Sequence, residues 1–258
     1  MLLTALESIF AGARTLADRF AACQACGFDG IDLREGAGEV ALARQLGERY
    51  GLKVGMIYSA LPIPLLSETA VLRAAALDLL RKRIEQANRV GAFGVVVVPV
   101  FGPPRIRSHA VTDVREAEEI LLEVLLTEME PWLSGDGAYL AIEPLNHEET
   151  HLFTSPLQAM NWLAGCRLTG VKTMADVYHM EREGQDILQE VSGVGDYLGC
   201  IHVAGPERGL PRLETTDYTG LFRQLTKQCY SGPVGYECRP HPVDDIRQNV
   251  HDLKRYLP

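Results

Sequence analysis

Short apolar segments alternate with longer amphipathic segments along almost the whole chain, and this alternation restricts the fold more than any other feature. The longer segments show the apolar spacing of helices, and the shorter ones have the length and composition of strands. The eight predicted strands are 2–6, 30–34, 53–59, 94–104, 138–145, 171–179, 198–205 and 233–240. Because parallel strands need crossover connections, the pattern predicts a parallel sheet covered by helices.

The number of strand–helix units favours a closed barrel. Eight such units in 258 residues match the (β/α)8 or TIM barrel of the α/β class. The alternative is an open, doubly wound sheet, but the early strands are not followed by the G-x-G-x-x-G sequence of a dinucleotide-binding fold. The chain also has no P-loop, low-complexity tract or linker. We therefore predict a single domain that spans residues 1–258.

Composition argues against several classes of protein. The formal net charge is −9, whereas nonspecific nucleic-acid binders normally present a basic face. The N-terminus has no signal-peptide pattern, and no apolar run approaches the roughly 20 residues of a membrane-spanning helix. Cys23 and Cys26 form a C-x-x-C sequence inside a helical pattern, which we interpret as structural. We expect a cytoplasmic protein that binds a small molecule and has no nucleic-acid or membrane partner; homo-oligomer formation stays open.

Four ionisable residues stand near the ends of the last four predicted strands. They are Glu143, Asp176, His202 and Glu237. The active site of a barrel lies at the carboxyl ends of its strands. If each of the four side chains points into the barrel, period-two alternation turns the apolar neighbours outward, toward the helices. All four assignments agree with one geometry, so we expect the side chains to converge on the barrel axis.

The chemistry of this set suits a divalent cation. A single strand-end glutamate is usually a solvated residue, but three carboxylates placed together without a cation would repel one another. Three carboxylates and one imidazole form a mostly oxygen site, which suits one ion of Mn²⁺, Mg²⁺ or Co²⁺. His179, Arg208 and Arg239 follow the same strands, and we interpret them as hydrogen-bond donors to a substrate. The loop 59–70 is expected to form part of the substrate wall.

At these positions the sequence resembles the xylose-isomerase-like barrel superfamily of sugar isomerases and epimerases. The resemblance is strongest to the D-tagatose 3-epimerase and hydroxypyruvate isomerase branches. It is carried by the segments AIEPLNHEET (141–150), ADVYHM (175–180), HVAGPER (202–208) and GYECRP (235–240). These segments occur in the family order and span the second half of the barrel.

The resemblance implies roles for particular residues. It implies that the metal ligands are Glu143, Asp176, His202 and Glu237. It makes Glu143 and Glu237 the catalytic acid–base pair as well. It implies that the substrate is bound by His179, Arg208, Asn146 and Glu149. The expected enzyme is a metal-dependent isomerase or epimerase of a small sugar, ketose or keto acid that works through an enediolate.

Three other functions stay open at this point. The same metal chemistry with loss of water would make a dehydratase of a cyclic polyol. An apurinic-site endonuclease shares the fold, but it needs extra histidines, and His109 stands well beyond the end of the fourth strand. A barrel that binds a ligand without catalysis is the third alternative, which the four candidate ligands disfavour.

Overall fold

Eight parallel strands form a closed barrel in the computed structural model, which describes residues 1–34, 40–59, 61–105, 113–133 and 137–257. Each strand pairs with its neighbours in the sequence, and β8 closes the ring on β1. The strands are β1 Leu2–Leu6, β2 Gly30–Leu33, β3 Lys53–Ser59, β4 Gly94–Val97, β5 Tyr139–Ile142, β6 Val171–Asp176, β7 Leu198–Val203 and β8 Pro233–Tyr236. The predicted α/β barrel is confirmed.

Helices cover the outside of the barrel, and most begin at a side-chain cap. Thr15, Thr69 and Ser155 each accept a hydrogen bond from a backbone N–H of the first helical turn, which stabilises the helix start. The α-helices are α1 Leu16–Ala25, α2 Val40–Tyr50, α3 Ala70–Val90, α4 Val114–Thr127, α5 Pro156–Gly165, α6 Val177–Arg182, α7 Ile187–Val194, α8 Tyr218–Lys227 and α9 Val243–Leu253. None of these described helices is long and apolar enough to cross a bilayer.

The structure corrects two helix predictions. The sequence predicted a strand or loop at His179, but β6 ends at Asp176 and α6 begins with the next residue. The reason is local, because Asp176 Oδ1 accepts a hydrogen bond of 2.8 Å from the Tyr178 N–H and so caps the helix. The helix predicted over 113–135 ends at Thr127 and is followed by a 3-10 turn, Glu130–Trp132, while residues 134–136 lie outside the described part.

Several strands are shorter than predicted, yet the polar residues beyond them are held by the barrel. Glu143 and Glu237 each follow directly after the last residue of a strand. Glu143 N donates to Val97 O at 3.0 Å, and Glu237 N donates to Val203 O at 3.2 Å. Both backbones are thus bonded to the neighbouring strand, so the two carboxylates have fixed positions at the barrel rim.

The cysteines that form the C-x-x-C sequence have separate partners. The Cys23 thiol donates to the carbonyl of Gly30 at 3.2 Å, and the Cys26 thiol donates to the carbonyl of Val243 at 3.4 Å. Both thiols are free and buried. Burial raises the pKa of both groups, and that of Cys26 to about 11, which disfavours the reactive thiolate. These contacts agree with a structural role for Cys23 within α1 and for Cys26 at the end of that helix.

Candidate active site

The four residues at the last strand ends meet at the carboxyl-terminal end of the barrel. One potential ligand atom from each of Glu143, Asp176, His202 and Glu237 lies within 4.8 Å of those of the others. His202 Nδ1 is 3.7 Å from Glu143 Oε1, 3.6 Å from Asp176 Oδ2 and 3.3 Å from Glu237 Oε2. The predicted convergence is therefore present, and the imidazole nitrogen lies among the three carboxylates.

The atoms of this group fit a divalent cation. His202 Nδ1 is buried and forms no hydrogen bond with the described residues, although buried polar atoms are normally paired. Glu237 Oε2 likewise accepts no well-aligned hydrogen bond, although Arg208 Nη1 lies 2.8 Å away. Carboxylate oxygens and a neutral imidazole nitrogen are the ligands of Mg²⁺, Mn²⁺ and related ions. The group is a four-residue candidate metal centre.

Arg208 supplies a positive charge beside the carboxylates. Its Nη1 donates to Asp176 Oδ2 at 2.7 Å. Burial alone would raise the pKa values of Asp176 and Glu237, but the Arg208 guanidinium holds the pKa of Asp176 well below its usual range and lowers that of Glu237. Asp176 and Glu237 are therefore ionised at neutral pH and available to a cation or a proton.

A strained turn holds Arg208 over the site. Glu207 and Arg208 both have left-handed backbone angles, with φ of 58° and 55°. For residues with a β-carbon this conformation costs roughly 1–2 kcal/mol each, and it persists where the surroundings determine it. The Arg208 carbonyl accepts a hydrogen bond from Arg239 N at 2.7 Å, and its guanidinium lies 4.3 Å from the centre of the Tyr178 ring. These contacts fix the direction of the guanidinium.

The predicted substrate-binding residues occupy two layers. His179 Nε2 lies 2.7 Å from Arg208 Nη2, and both side chains line the cavity above the four-residue group. Glu149 lines the same cavity. Asn146 is buried behind them, with its Nδ2 2.8 Å from both His179 Nδ1 and Glu149 Oε1. Asn146 therefore contacts the residues that line the cavity and does not itself line it.

The cavity has a volume of about 220 Å³ and includes residues that sequence reasoning missed. Glu143, Glu237, His179, Arg208 and Glu149 line it together with Ser59 and with three residues that were missed, Arg34, Tyr58 and Phe101. Tyr58 and Ser59 end a predicted strand, and polar residues at a strand's carboxyl end were the available signal. Of the loop 59–70 that was expected to form a substrate wall, only Ser59 lines the cavity among the described residues.

Two other predicted positions do not join the site. Arg239 does not line the cavity; its side chain is 69% exposed and has Nη2 3.9 Å from Glu207 Oε2. Its predicted role as a hydrogen-bond donor to the substrate therefore has no support in the geometry. His109 lies outside the described residues.

Comparison with known proteins agrees with this architecture. Residues 20–256 match the family model of the xylose isomerase-like TIM barrel. The chain is 28% identical to 3-dehydro-D-guloside 4-epimerase of Escherichia coli K12 over 187 residues, 72% of this chain and 71% of the relative. It is 27% identical to hydroxypyruvate isomerase of the same strain over 148 residues, 56% and 53% of the two chains. The crystal structure of E. coli 3-keto-D-glucoside 4-epimerase superposes with a TM-score of 0.87 at 22% identity, covering 99% of both chains.

Proposed function

Since the chain belongs to the xylose isomerase-like TIM barrel family, we propose that it is an isomerase or epimerase of a small sugar, ketose or keto acid. The observation that carries the proposal is the position of Glu143 and Glu237. Both carboxylates line the cavity, and both lie within 4 Å of His202 Nδ1, 3.7 and 3.3 Å away. The names of the similar proteins, which are epimerases and an isomerase, support the same class of reaction.

The proposal includes one divalent ion, Mn²⁺, Mg²⁺ or Co²⁺, held by Glu143, Asp176, His202 and Glu237. Such an ion would supply Lewis-acid polarisation of a substrate carbonyl and its neighbouring hydroxyl, which makes the carbon-bound proton more acidic. The unpaired His202 Nδ1 and the ligand atoms within 4.8 Å of one another support this assignment.

Proton transfer is the task of the two glutamates. One carboxylate removes the carbon-bound proton, and either carboxylate returns it. Return to a neighbouring carbon gives an isomer, and return to the opposite face of the same carbon gives an epimer. Arg208 holds the pKa of Glu237 below its usual range, despite burial, so Glu237 is ionised and can act as a base at neutral pH. Because β5 and β8 are not neighbours in the ring, the two carboxylates approach a bound substrate from different sides.

The remaining cavity residues bind and orient the substrate in this proposal. Arg208 presents donor groups to substrate oxygens, the Nε2 of His179 accepts from Arg208 beside the cavity, and Asn146 holds the imidazole of His179 from behind. Glu149 contributes an acceptor for a substrate hydroxyl. The cavity of about 220 Å³ is smaller than the roughly 300 Å³ at which pockets for drug-sized ligands begin, which favours a small substrate.

A screen in heavy water tests the proposal. Metal-free protein would be incubated with Mn²⁺ and a panel of small ketoses, keto sugars and keto acids in D₂O, and products followed by proton NMR. We expect at least one compound to be converted to an isomer or epimer that carries solvent deuterium at the reacting carbon. A chelator should abolish the conversion, and added Mn²⁺ should restore it. Conversion without deuterium, or conversion that survives the chelator, would contradict the mechanism.

A further inference from the structure

A tyrosine on the far side of the barrel contacts the histidine of the candidate metal centre. Tyr58 Oη of β3 lies 2.5 Å from His202 Nε2 of β7, and both side chains are buried. The two rings are nearly parallel, with an angle of 9° and centroids 5.0 Å apart. Tyr58 and His202 are 144 positions apart in the sequence, so the contact does not arise from local chain geometry. The barrel alone brings them together.

The two nitrogens of His202 have different surroundings. Nδ1 faces Glu143, Asp176 and Glu237 and has no hydrogen-bond partner in the described part of the chain, whereas Nε2 faces the Tyr58 hydroxyl. A neutral imidazole carries one proton, so a proton on Nε2 leaves the lone pair of Nδ1 free. In metal sites the second ring nitrogen usually donates to a carboxylate, a carbonyl or a water, and this contact fixes the tautomer. In this protein the partner of the second ring nitrogen, Nε2, is the hydroxyl of Tyr58.

We propose that Tyr58 is a positioning residue: its oxygen accepts the Nε2–H of His202 and so presents a bare Nδ1 to the cation. The inference rests on the metal centre described under the proposed function. It assigns to Tyr58 a role in cation binding that does not require the substrate.

A bulge in β3 turns the side chain of Tyr58 toward His202. Ile31 pairs with Val54, but Leu33 pairs with Ile57, so β3 carries one extra residue over this interval. The extra residue leaves the Met56 N–H free of the β2 ladder, and Asp32 Oδ1 accepts it at 2.7 Å. A bulge reverses the inward and outward alternation beyond it. Gly55 faces the interior, so regular alternation would have turned Ile57, not Tyr58, toward the barrel axis.

Two glycines leave room inside the barrel for the Asp32 carboxylate and the Tyr58 hydroxyl. A β-carbon at Gly55 would lie 2.2 Å from Asp32 Oδ1, and one at Gly235 would lie 2.6 Å from Asp32 Oδ2 and 3.7 Å from Tyr58 Oη. Thr4 Oγ1 donates to Asp32 Oδ2 at 2.7 Å and completes the contacts of that carboxylate. The two glycines, Thr4 and Asp32 together stabilise the bulge on which the direction of Tyr58 depends.

The affinity of metal-free protein for Mn²⁺, measured by titration calorimetry without substrate, tests the proposal. Tyr58→Phe keeps the ring and removes only the hydroxyl. Loss of an outer partner of a metal ligand typically costs 10- to 100-fold in metal affinity, and we expect a loss in this range. Tyr139→Phe is the matched control, because the Tyr139 hydroxyl donates to the Gly199 carbonyl at 2.6 Å inside the same barrel. Its Mn²⁺ affinity should stay within about twofold of the wild type.

A spectroscopic measurement separates positioning from simple packing. In metal-free protein labelled with ¹⁵N-histidine, at a pH where the imidazole is neutral, His202 should carry its proton on Nε2. Tyr58→Phe should lose this single tautomer, whereas a packing role would leave it unchanged. A neutral His202 with its proton on Nδ1 in metal-free wild-type protein would overturn the proposal, and this result does not depend on how well the variant folds.

The outcomes also separate this inference from the proposed function. Equal Mn²⁺ affinity of the wild type and Tyr58→Phe would overturn the role of Tyr58 alone. Wild-type protein that binds no divalent cation would overturn both the metal centre and this inference. Failure to find a substrate would affect neither measurement, since both are made without one.

Discussion

Asp176 on β6 and His202 on β7 are paired residues of neighbouring strands, and their side chains turn to the same side of the sheet, with Asp176 Oδ2 3.6 Å from His202 Nδ1. The same carboxylate oxygen accepts a hydrogen bond from Arg208. Its other oxygen caps α6, the helix that carries His179. One aspartate thus connects the candidate metal centre to two of the residues proposed to bind and orient the substrate.

Asp176→Asn should weaken Mn²⁺ binding strongly while the protein stays folded. The amide oxygen can still cap α6, but the charge is lost, and because outer partners alone contribute 10- to 100-fold, we expect a loss of more than about 100-fold. Calorimetry measures the affinity. Asp186→Asn is the control, since Asp186 caps α7 in the same way and lies outside the four-residue group. Wild-type affinity in Asp176→Asn would exclude Asp176 as a ligand.

Arg208→Met should separate substrate binding from metal binding. The guanidinium contacts Asp176 Oδ2 and Glu237 Oε2, which are oxygens that a cation would use, so its removal should leave Mn²⁺ affinity equal or higher. Turnover should fall by about 10²-fold or more, because substrate oxygens lose a charged donor. Arg239→Met, an exposed arginine outside the cavity, should retain normal turnover. Loss of Mn²⁺ binding in Arg208→Met would contradict the assignment.

Gly235→Ala should destabilise the protein through the barrel interior. The new methyl group would lie 2.6 Å from Asp32 Oδ2 and 3.1 Å from Thr4 Oγ1. Overpacking of this kind typically costs about 1–3 kcal/mol of unfolding free energy, which urea denaturation measures. Gly165→Ala, at the end of α5 with no atom within 4 Å of the new methyl group, should be as stable as the wild type or more so. Equal unfolding free energies of Gly235→Ala and Gly165→Ala would contradict this prediction, because they would show that the barrel interior accommodates the added methyl group.

Asp32→Asn should gain stability relative to the wild type as the pH rises. Burial raises the pKa of Asp32 to about 6, although hydrogen bonds from Thr4 and Met56 oppose the shift. The folded state therefore holds this proton more tightly than the unfolded state does. The resulting stabilisation is complete below about pH 4 and is lost as the pH rises through about 6.

Asparagine stays neutral over this range. The difference in unfolding free energy between Asp32→Asn and the wild type should therefore move in favour of the variant by about 2 kcal/mol between pH 4 and pH 7. Denaturation curves at several pH values measure this difference. A difference that stays constant with pH would show that Asp32 does not carry a raised pKa.

The barrel and the four-residue group were predictable because both depend on regular patterns. Strand–helix alternation defined the fold, and period-two alternation placed His202 and the three carboxylates on one side. The prediction of the four-residue group was correct although the predicted strands were too long. The reason is that Glu143 and Glu237 keep backbone hydrogen bonds to neighbouring strands beyond the ends of β5 and β8. A prediction based on position alone was therefore sufficient for these residues.

Tyr58 was missed because the argument from period-two alternation covered only the last four strands, and a bulge breaks that alternation in β3. The extra residue in β3 reverses the side on which Tyr58 lies, and a bulge cannot be read from alternation in a strand that is buried from Val54 to Ser59. The helix α6 was missed for a related reason. Asp176 was interpreted only as a ligand, whereas its second oxygen also begins the helix that brings His179 into the cavity.

The central claim is that Glu143 and Glu237 transfer the proton, and turnover of glutamine variants in D₂O tests it most directly. General acid–base catalysis typically contributes 10²- to 10⁴-fold, so Glu143→Gln and Glu237→Gln should each lose turnover and deuterium uptake by about that factor, while the amide oxygen still supports some Mn²⁺ binding. Glu148→Gln, on the same loop but paired with Arg182, is the control and should match the wild type. Near-normal turnover and deuterium uptake in either variant, with Mn²⁺ bound, would contradict the account.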